Sequence, residues 1–337
     1  MSEQQRILLG HGSGGKLSHQ LLSELFLKYF TNEELAQLND GARLNFRGSS
    51  LVMSTDSYVV DPIFFPGGDI GKLAVCGTVN DVAMMGAKPQ YLSIGFIIEE
   101  GFSFNDLEKI LNSIAISAAE ADIQIVTGDT KVVPQGTADK IFINTTGIGL
   151  LRPKAKLSGH QARVGDKIII NGRIADHGIT VMAKREGLEL DVGLQTDSAP
   201  LNHLVADVLD QVPEVHVMRD PTRGGVATTL NEIAGQSAVG IKIVEKNLPI
   251  STSVKAVCEI LGLDPMYIAN EGKVLIIVDP AQADKTLRIL RKNNYGKEAC
   301  VIGEVVEEPK GKVYLETMIG GLRMIDMLAG EQLPRIC

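Results

Sequence analysis

At 337 residues, with 44% hydrophobic and 22% charged side chains, the chain has ordinary globular composition and enough length for two cores. A formal charge of −8 argues against a nucleic-acid or anionic-membrane surface, and with no tryptophan and 4% aromatics there is little to stack bases or sugars on. No apolar run is long enough to cross a bilayer, and Met1-Ser2-Glu3-Gln4-Gln5 has no signal-peptide core, so a cytoplasmic protein is expected.

The glycine-rich stretch Gly10-His11-Gly12-Ser13-Gly14-Gly15-Lys16 leads into a helix through Leu17, Leu21, Leu22 and Leu25. Backbone N–H groups of Gly12, Gly14 and Gly15 can close around a phosphate, and Lys16 adds charge. It is not a Walker A loop, because Leu17 stands where Ser or Thr belongs and no strand clearly precedes it. By itself a flexible linker fits the stretch equally well. Leu51 to Thr55 reads as a strand ending at Asp56, and Asp69 caps a helix through Leu73, Ala74, Val79 and Val82 that stops at Gly86. Tyr91 to Ile98 is a strand. Ser103 or Asn105 opens a helix whose apolar stripe is Leu107, Ile110, Leu111, Ile114 and Ala118. Ile123 to Val126 is a strand that turns at Thr127-Gly128-Asp129-Thr130, and Lys140 to Gly149 is another.

The polar, turn-rich run from Leu151 to Asp166 marks a domain junction. A second α/β series follows, with strands at Lys167–Asn171, Val215–Met218, Gly240–Val244, Lys273–Val278, near 299–307 and at 312–316. Helices start near Gly178, Ala199 and Gly225, and run through Val254–Leu261 and Ala281–Lys292. Beyond Gly320-Gly321 comes a short amphipathic piece, Leu322 to Leu328. The reading is an α/β (α+β) protein with domains at 1–152 and 153–318 and a flexible tail at 319–337.

Four aspartates stand at element ends, where α/β proteins gather active-site groups: Asp56, Asp81, Asp129, and Asp220 in Asp220-Pro221-Thr222-Arg223-Gly224-Gly225. Any one alone reads as a cap or turn former. Together, beside Gly, Thr or Asn, they suit Mg²⁺ sharing its oxygen ligands with a nucleotide. Gly224 and Gly225 at a helix start offer a second phosphate-accepting backbone, with Arg223 alongside. His177, Asn231 and Glu232 carry no clear role at this level. The cysteines Cys76, Cys258, Cys300 and Cys337 form no C-x-x-C pair, so neither a zinc cage nor a disulfide framework is expected. Cys76, Cys258 and Cys300 lie in apolar windows. Cys337, the last residue of the sequence, follows Pro334 on an extended approach and is expected to present its thiol.

Thr55-Asp56-Ser57, the run from Asn80-Asp81-Val82 to Pro89, Thr127-Gly128-Asp129-Thr130 and Asp220 to Gly225 resemble the signatures of the aminoimidazole-ribonucleotide-synthetase superfamily, which includes selenophosphate synthetase and thiamine-monophosphate kinase. Within it, His11 to Gly15, Asp61 to Gly68, Asn270-Glu271-Gly272-Lys273 and Pro334-Arg335-Ile336-Cys337 resemble the HypE family of carbamoyl dehydratases in NiFe-hydrogenase maturation. The resemblance, nearly end to end, implies an N-terminal domain pairing strands across a homodimer, with ATP and Mg²⁺ in a groove between domains. It implies that the carbamoyltransferase HypF loads a carbamoyl group on Cys337, that ATP drives its dehydration to a thiocyanate, and that the cyano group passes to iron held by a HypC–HypD complex. Mg²⁺ would be held by Asp56, Asp81, Asp129 and Asp220. Lys131 would neutralise charge on the moving phosphate, Thr130 would help hold the nucleotide, and Glu271 would serve as base. Gly320-Gly321 and Gly330 would be hinges for a tail that swings out to be loaded and folds in to react. An extended chain from Leu322 to Cys337 spans roughly 50 Å, which is ample. The competing readings are a sibling ATP-using enzyme and a non-catalytic carrier of a thiol-bound group. A selenophosphate synthetase should carry a reactive cysteine near the glycine loop, and this loop has none.

Overall fold

The computed structural model describes residues 15–27, 33, 35–46, 48–153, 155–188, 193–328, 333 and 335–337. The helix that follows the glycine-rich stretch begins as α1 (Lys16–Gln20) and continues as one π-helical segment, Leu21–Phe26. The first sheet is built from β1 (Ala42–Phe46), β2 (Ser49–Tyr58), β5 (Ala87–Glu99), β6 (Gln124–Val133) and β7 (Ile141–Leu151). Their order is β1-β2-β7-β5-β6, antiparallel except for the parallel pair β5–β6. Between β2 and the first long helix lies a small hairpin, β3 (Phe64–Phe65) and β4 (Gly68–Asp69).

Helix α2 (Ile70–Met84) is capped as its sequence predicts, the Asp69 carboxylate accepting from the Gly71 and Lys72 N–H groups at 2.7 and 3.0 Å. It is apolar all round because it is covered all round, by the sheet on one side and the C-terminal half on the other. Gly147 and Gly149 of β7 let it lie close. A Cβ there would come within 2.8 Å of Thr78 Cγ2 and 2.6 Å of Val82 Cγ1. Helix α3 (Phe104–Glu120), opened by Ser103, packs beside it and buries Ile110 and Ile114. The opposite sheet face is open, and in-register neighbours Met53, Ile148 and Tyr91 form an exposed apolar row across β2, β7 and β5.

The second sheet comprises β8 (Lys167–Ile170), β9 (Val215–Arg219), β10 (Gly240–Val244), β11 (Leu275–Val278), β12 (Cys300–Val306), β13 (Lys312–Glu316) and β14 (Leu322–Ile325). The order is β14-β13-β10-β12-β8-β11-β9. Both faces are covered, which is why its central strands read as unbroken apolar runs. Ile168, Ile170, Leu275 and Ile277 face α6 (Gly225–Ser237), while Ile169, Ile276 and Val278 face α5 (Asn202–Gln211) and α8 (Ala283–Leu290). Helices α4 (Asp176–Arg185) and α7 (Thr252–Leu261) pack together at one end through Ile179, Val254 and Val257.

Two local expectations change. The turn expected at Asp129 is strand, because β-branched residues carry β6 through to Val133 along β5. Gly320-Gly321, expected as a hinge, closes the β13–β14 hairpin: Thr317 N–H donates to Gly321 O at 2.8 Å, and Leu322–Ile325 is a strand. Gly330 lies outside the described residues.

Candidate active site

Asp56 near the end of β2, Asp81 near the end of α2 and Asp220 just after β9 face one another across the two halves. Burial, then the charges of Asp220, Asp56 and Asp40, push the Asp81 carboxyl well above its usual range. Burial, then Asp40, pushes Asp220 up to about 8. Ser54 Oγ donates to Asp81 Oδ2 at 2.6 Å, fixing that carboxylate on its helix. Such crowding of like charges out of water suits a divalent cation that offsets them. Among the described residues no three acidic, His or Cys side chains converge into a ready metal cage, so a Mg²⁺ here would complete its shell with water and phosphate oxygens.

Glu271 stands beside this group, almost fully buried. Burial first, then Asp56, Asp220 and Asp197, raises its carboxyl well above the ordinary range. Its backbone is held from three sides. The Glu271 N–H donates to Asp197 Oδ1 at 3.1 Å, and Asn80 Nδ2 donates to the Glu271 carbonyl at 3.3 Å and to that of Ala199 at 3.1 Å. Asn270, wholly buried, donates to the Pro221 carbonyl at 2.9 Å, tying Glu271 to the loop that follows Asp220. Asp197 is itself neutralised by Lys273 Nζ at 2.9 Å.

In the Gly224-Gly225 turn both residues have positive φ, +75° and +62°. Helix α6 starts without a side-chain cap, and Arg223, just before it, pairs with Asp56 at 2.8 Å. Gly12 and Gly14 lie outside the described residues. Gly15 is buried against Leu328, whose carbonyl accepts from Lys16 N–H at 2.9 Å, while the Lys16 side chain is exposed. A buried ionic chain then anchors α1: His19 Nε2 lies 3.0 Å from Glu232, Arg219 bridges Glu232 at 2.7 Å and Asp40 at 2.6 Å, and Asp220 follows Arg219 directly. Glu232 therefore faces inward, and Asn231 holds the Ile325 carbonyl at 2.9 Å.

The end of the chain lies in the cleft. Val59 N–H donates to Cys337 O and Asp61 N–H to Arg335 O, each at 3.1 Å, so the last residues lie antiparallel to 59–61. Arg335 donates to Val59 O and pairs with Asp139, while Arg185 donates to the Arg335 carbonyl at 2.7 Å. Ile336 is buried in the N-terminal core, and Leu333 packs against it. The thiol expected to be presented belongs instead to a half-buried residue hydrogen-bonded to Arg223, and desolvation pushes it up to about 12. Pro334 lies outside the described residues.

Asp129, Thr130 and Lys131 stand apart. They lie on the exposed edge strand β6, where Asp129 pairs with Lys131 at 3.2 Å and takes the Thr130 N–H at 2.9 Å. Within one chain they are not brought to Asp56, Asp81 and Asp220. Sequence reasoning missed Asn80 as a clamp, Asp197, Arg219 and the contact His177 makes with the tail. The Asn80-Asp81 and Asn270-Glu271 pairs were the available signals, both asparagines serving to hold the segment that carries Glu271.

Two family models match: "AIR synthase related protein, N-terminal domain" over residues 38–151 and "AIR synthase related protein, C-terminal domain" over residues 163–316. Carbamoyl dehydratase HypE of Azotobacter vinelandii is 52% identical over 97% of this chain and 96% of its own length. A crystal structure of HypE in complex with ATP superposes with a TM-score of 0.84 at 52% identity, covering 98% of this chain and all of that one, 100%. A chain of a HypE–HypF complex superposes with a TM-score of 0.87 at 48% identity, covering 91% and 99%. The chain belongs to the AIR-synthase-related family and, within it, to the HypE proteins.

Proposed function

We propose that this protein is an ATP-dependent carbamoyl dehydratase whose own Cys337 sulfur carries the reacting group, converting a thiocarboxamide to a thiocyanate that supplies the cyanide ligand of NiFe-hydrogenase iron. The observation that carries the reading is the delivery of Cys337 between Arg223 and the buried Glu271, in an acidic cleft. An amide oxygen leaves poorly. Once the γ-phosphoryl of ATP is placed on it, the C–O bond can break with loss of phosphate while both N–H protons depart, leaving C≡N on sulfur. Positioning and charge neutralisation dominate such a transfer. Glu271, raised by burial, is the base. Arg223 and the first turn of α6 would face the phosphates, and the exposed Lys16 side chain would add charge from the N-terminal side. Asp56, Asp81 and Asp220 would hold Mg²⁺, which when bound screens the charge of the transferring phosphoryl group.

The apolar row on the open sheet face and the unpaired edge of β6, with Ile125, Val126 and Val132 exposed, support a homodimer. A second copy would carry Asp129, Thr130 and Lys131 to the nucleotide site from β6. HypF would load Cys337 and a HypC–HypD complex would accept the cyanide. A cytoplasmic location agrees with the need for ATP, and among the described residues no helix is long and apolar enough to cross a membrane.

Intact-mass analysis tests this. Carbamoylated chain given Mg-ATP, with no HypF present, is expected to lose the mass of one water from its Cys337 peptide. No loss until other maturation proteins are added would leave the chain a carrier. Glu271→Gln is expected to retain carbamoylation and slow the loss by about a hundredfold or more, within the span of acid–base contributions. A wild-type rate in that variant removes Glu271 as base.

A further inference from the structure

His177 is fully buried in the first turn of α4, with its ring edge-on to Phe65 at 5.6 Å. Both nitrogens are engaged. Nε2 lies 3.0 Å from the carbonyl oxygen of Ile336, and Nδ1 lies 2.7 Å from Thr196 Oγ1. A carbonyl oxygen can only accept, so Nε2 bears the proton and Nδ1 takes the Thr196 hydroxyl hydrogen. The Thr196 oxygen in turn accepts from Ser198 N–H at 3.1 Å, so each member of the chain has one role. Burial lowers the pKa of the ring, in keeping with a neutral imidazole.

The backbone spends strain to put the ring there. Ala175, the residue before α4, is left-handed at φ +72° and its N–H is held by Asn270 Oδ1 at 2.8 Å. A Cβ on Gly178 would come within 2.5 Å of Ile268 Cγ2, so α4 begins tight against the segment that carries Glu271. The histidine and the base are therefore placed by one stretch, residues 268–271. Nothing in the dehydration scheme uses His177.

We propose that His177 is a positioning residue, a latch whose Nε2–H grips the penultimate carbonyl and keeps Cys337 in the cleft, so that the thiol becomes available for loading only when this bond opens. The docked sulfur, protonated beside Arg223, is a poor nucleophile, and loading belongs to the released state. Ile336 and the backbone bonds to 59–61 supply the rest of the grip. The significance of the latch rests on the dehydratase reading, but its existence can be read without catalysis.

The test is the rate at which iodoacetamide alkylates Cys337 in the full chain, followed by mass on the peptide that contains it. His177→Phe, which fills the space without a donor, is expected to raise the rate about five- to tenfold, the scale of one buried hydrogen bond. His177→Gln, whose amide can still donate, is expected to stay within about twofold of wild type. A wild-type rate in the Phe variant overturns the latch, as does a Gln variant as fast as Phe, which would make the ring a matter of shape. Should the Phe variant not fold, ¹⁵N-histidine spectra of the wild-type chain decide: a fixed Nε2–H tautomer that averages once residues 333–337 are deleted supports the latch, and spectra unchanged by the deletion overturn it. If alkylation follows the expected order while no chain dehydrates, the dehydratase reading fails and the latch stands.

Discussion

Asp176 Oδ1 is buried with no hydrogen-bond partner among the described residues, and Oδ2 lies 3.8 Å from Arg173. Burial, then the Asp197 charge, raises its carboxyl from 3.8 to about 6. The folded chain thus holds this proton more tightly than the unfolded chain. Its ionised form weighs against folding once the pH passes the unfolded value, and the cost is complete above about 6. Asp176→Asn is expected to add about 1–2 kcal/mol of stability at pH 7.5 and almost nothing at pH 4. Thermal melts at the two pH values check it, and an equal gain at both would remove the charge explanation. The same residue scale shows where sequence reasoning ended. Asp220 stood out through the proline and glycines that follow it, whereas Glu271 was reached only through the resemblance carried by Asn270-Glu271-Gly272-Lys273. Their positioning partners were not legible, since the Asn80 to Ala199 bond spans 119 positions and only the fold brings the two together.

Most helices and strands were legible from caps and periodicity: Asp69 and Ser103 each accept a first-turn N–H as their positions suggest. The failures share a cause. Thr127-Gly128-Asp129-Thr130 has turn composition, yet pairing along β5 makes it strand, and Gly320-Gly321 reads as a hinge until β14 is seen to pair with β13. Pairing to a neighbouring strand, distant in sequence for the first and across a tight hairpin for the second, decided both. At Gly225 the local and tertiary demands agree. Its φ is +62°, and a Cβ would fall 2.6 Å from Ile268 O and 2.7 Å from Met266 O. Gly225→Ala is expected to cost about 3 kcal/mol or more in urea unfolding, because both the backbone conformation and the contact with 266–268 are lost. A cost below about 1 kcal/mol would show that α6 is not wedged there.

Across the molecule as a whole, the uncovered side of the first sheet carries a row of exposed apolar side chains. Ile148 sits at its centre, in register with Met53 on one side and Tyr91 on the other. Ile148→Lys is expected to convert a dimer to a monomer in sedimentation analysis while far-ultraviolet circular dichroism stays unchanged. A wild-type chain that sediments as a monomer would refute the pairing, and with it the delivery of Lys131 across subunits. The two domains proposed at 1–152 and 153–318 are joined most intimately by α2, which belongs to one by sequence and is roofed by the other. The chain grips its own end through backbone carbonyls, Arg335 and Ile336, and the sulfur's cargo rides on an anchor it does not help to form. A reactant tethered in this way meets its cleft at an effective concentration set by the leash, of millimolar order for a short linker. Turnover would then be a property of each loaded molecule, indifferent to dilution, and no free, volatile or toxic intermediate need ever leave the protein that made it.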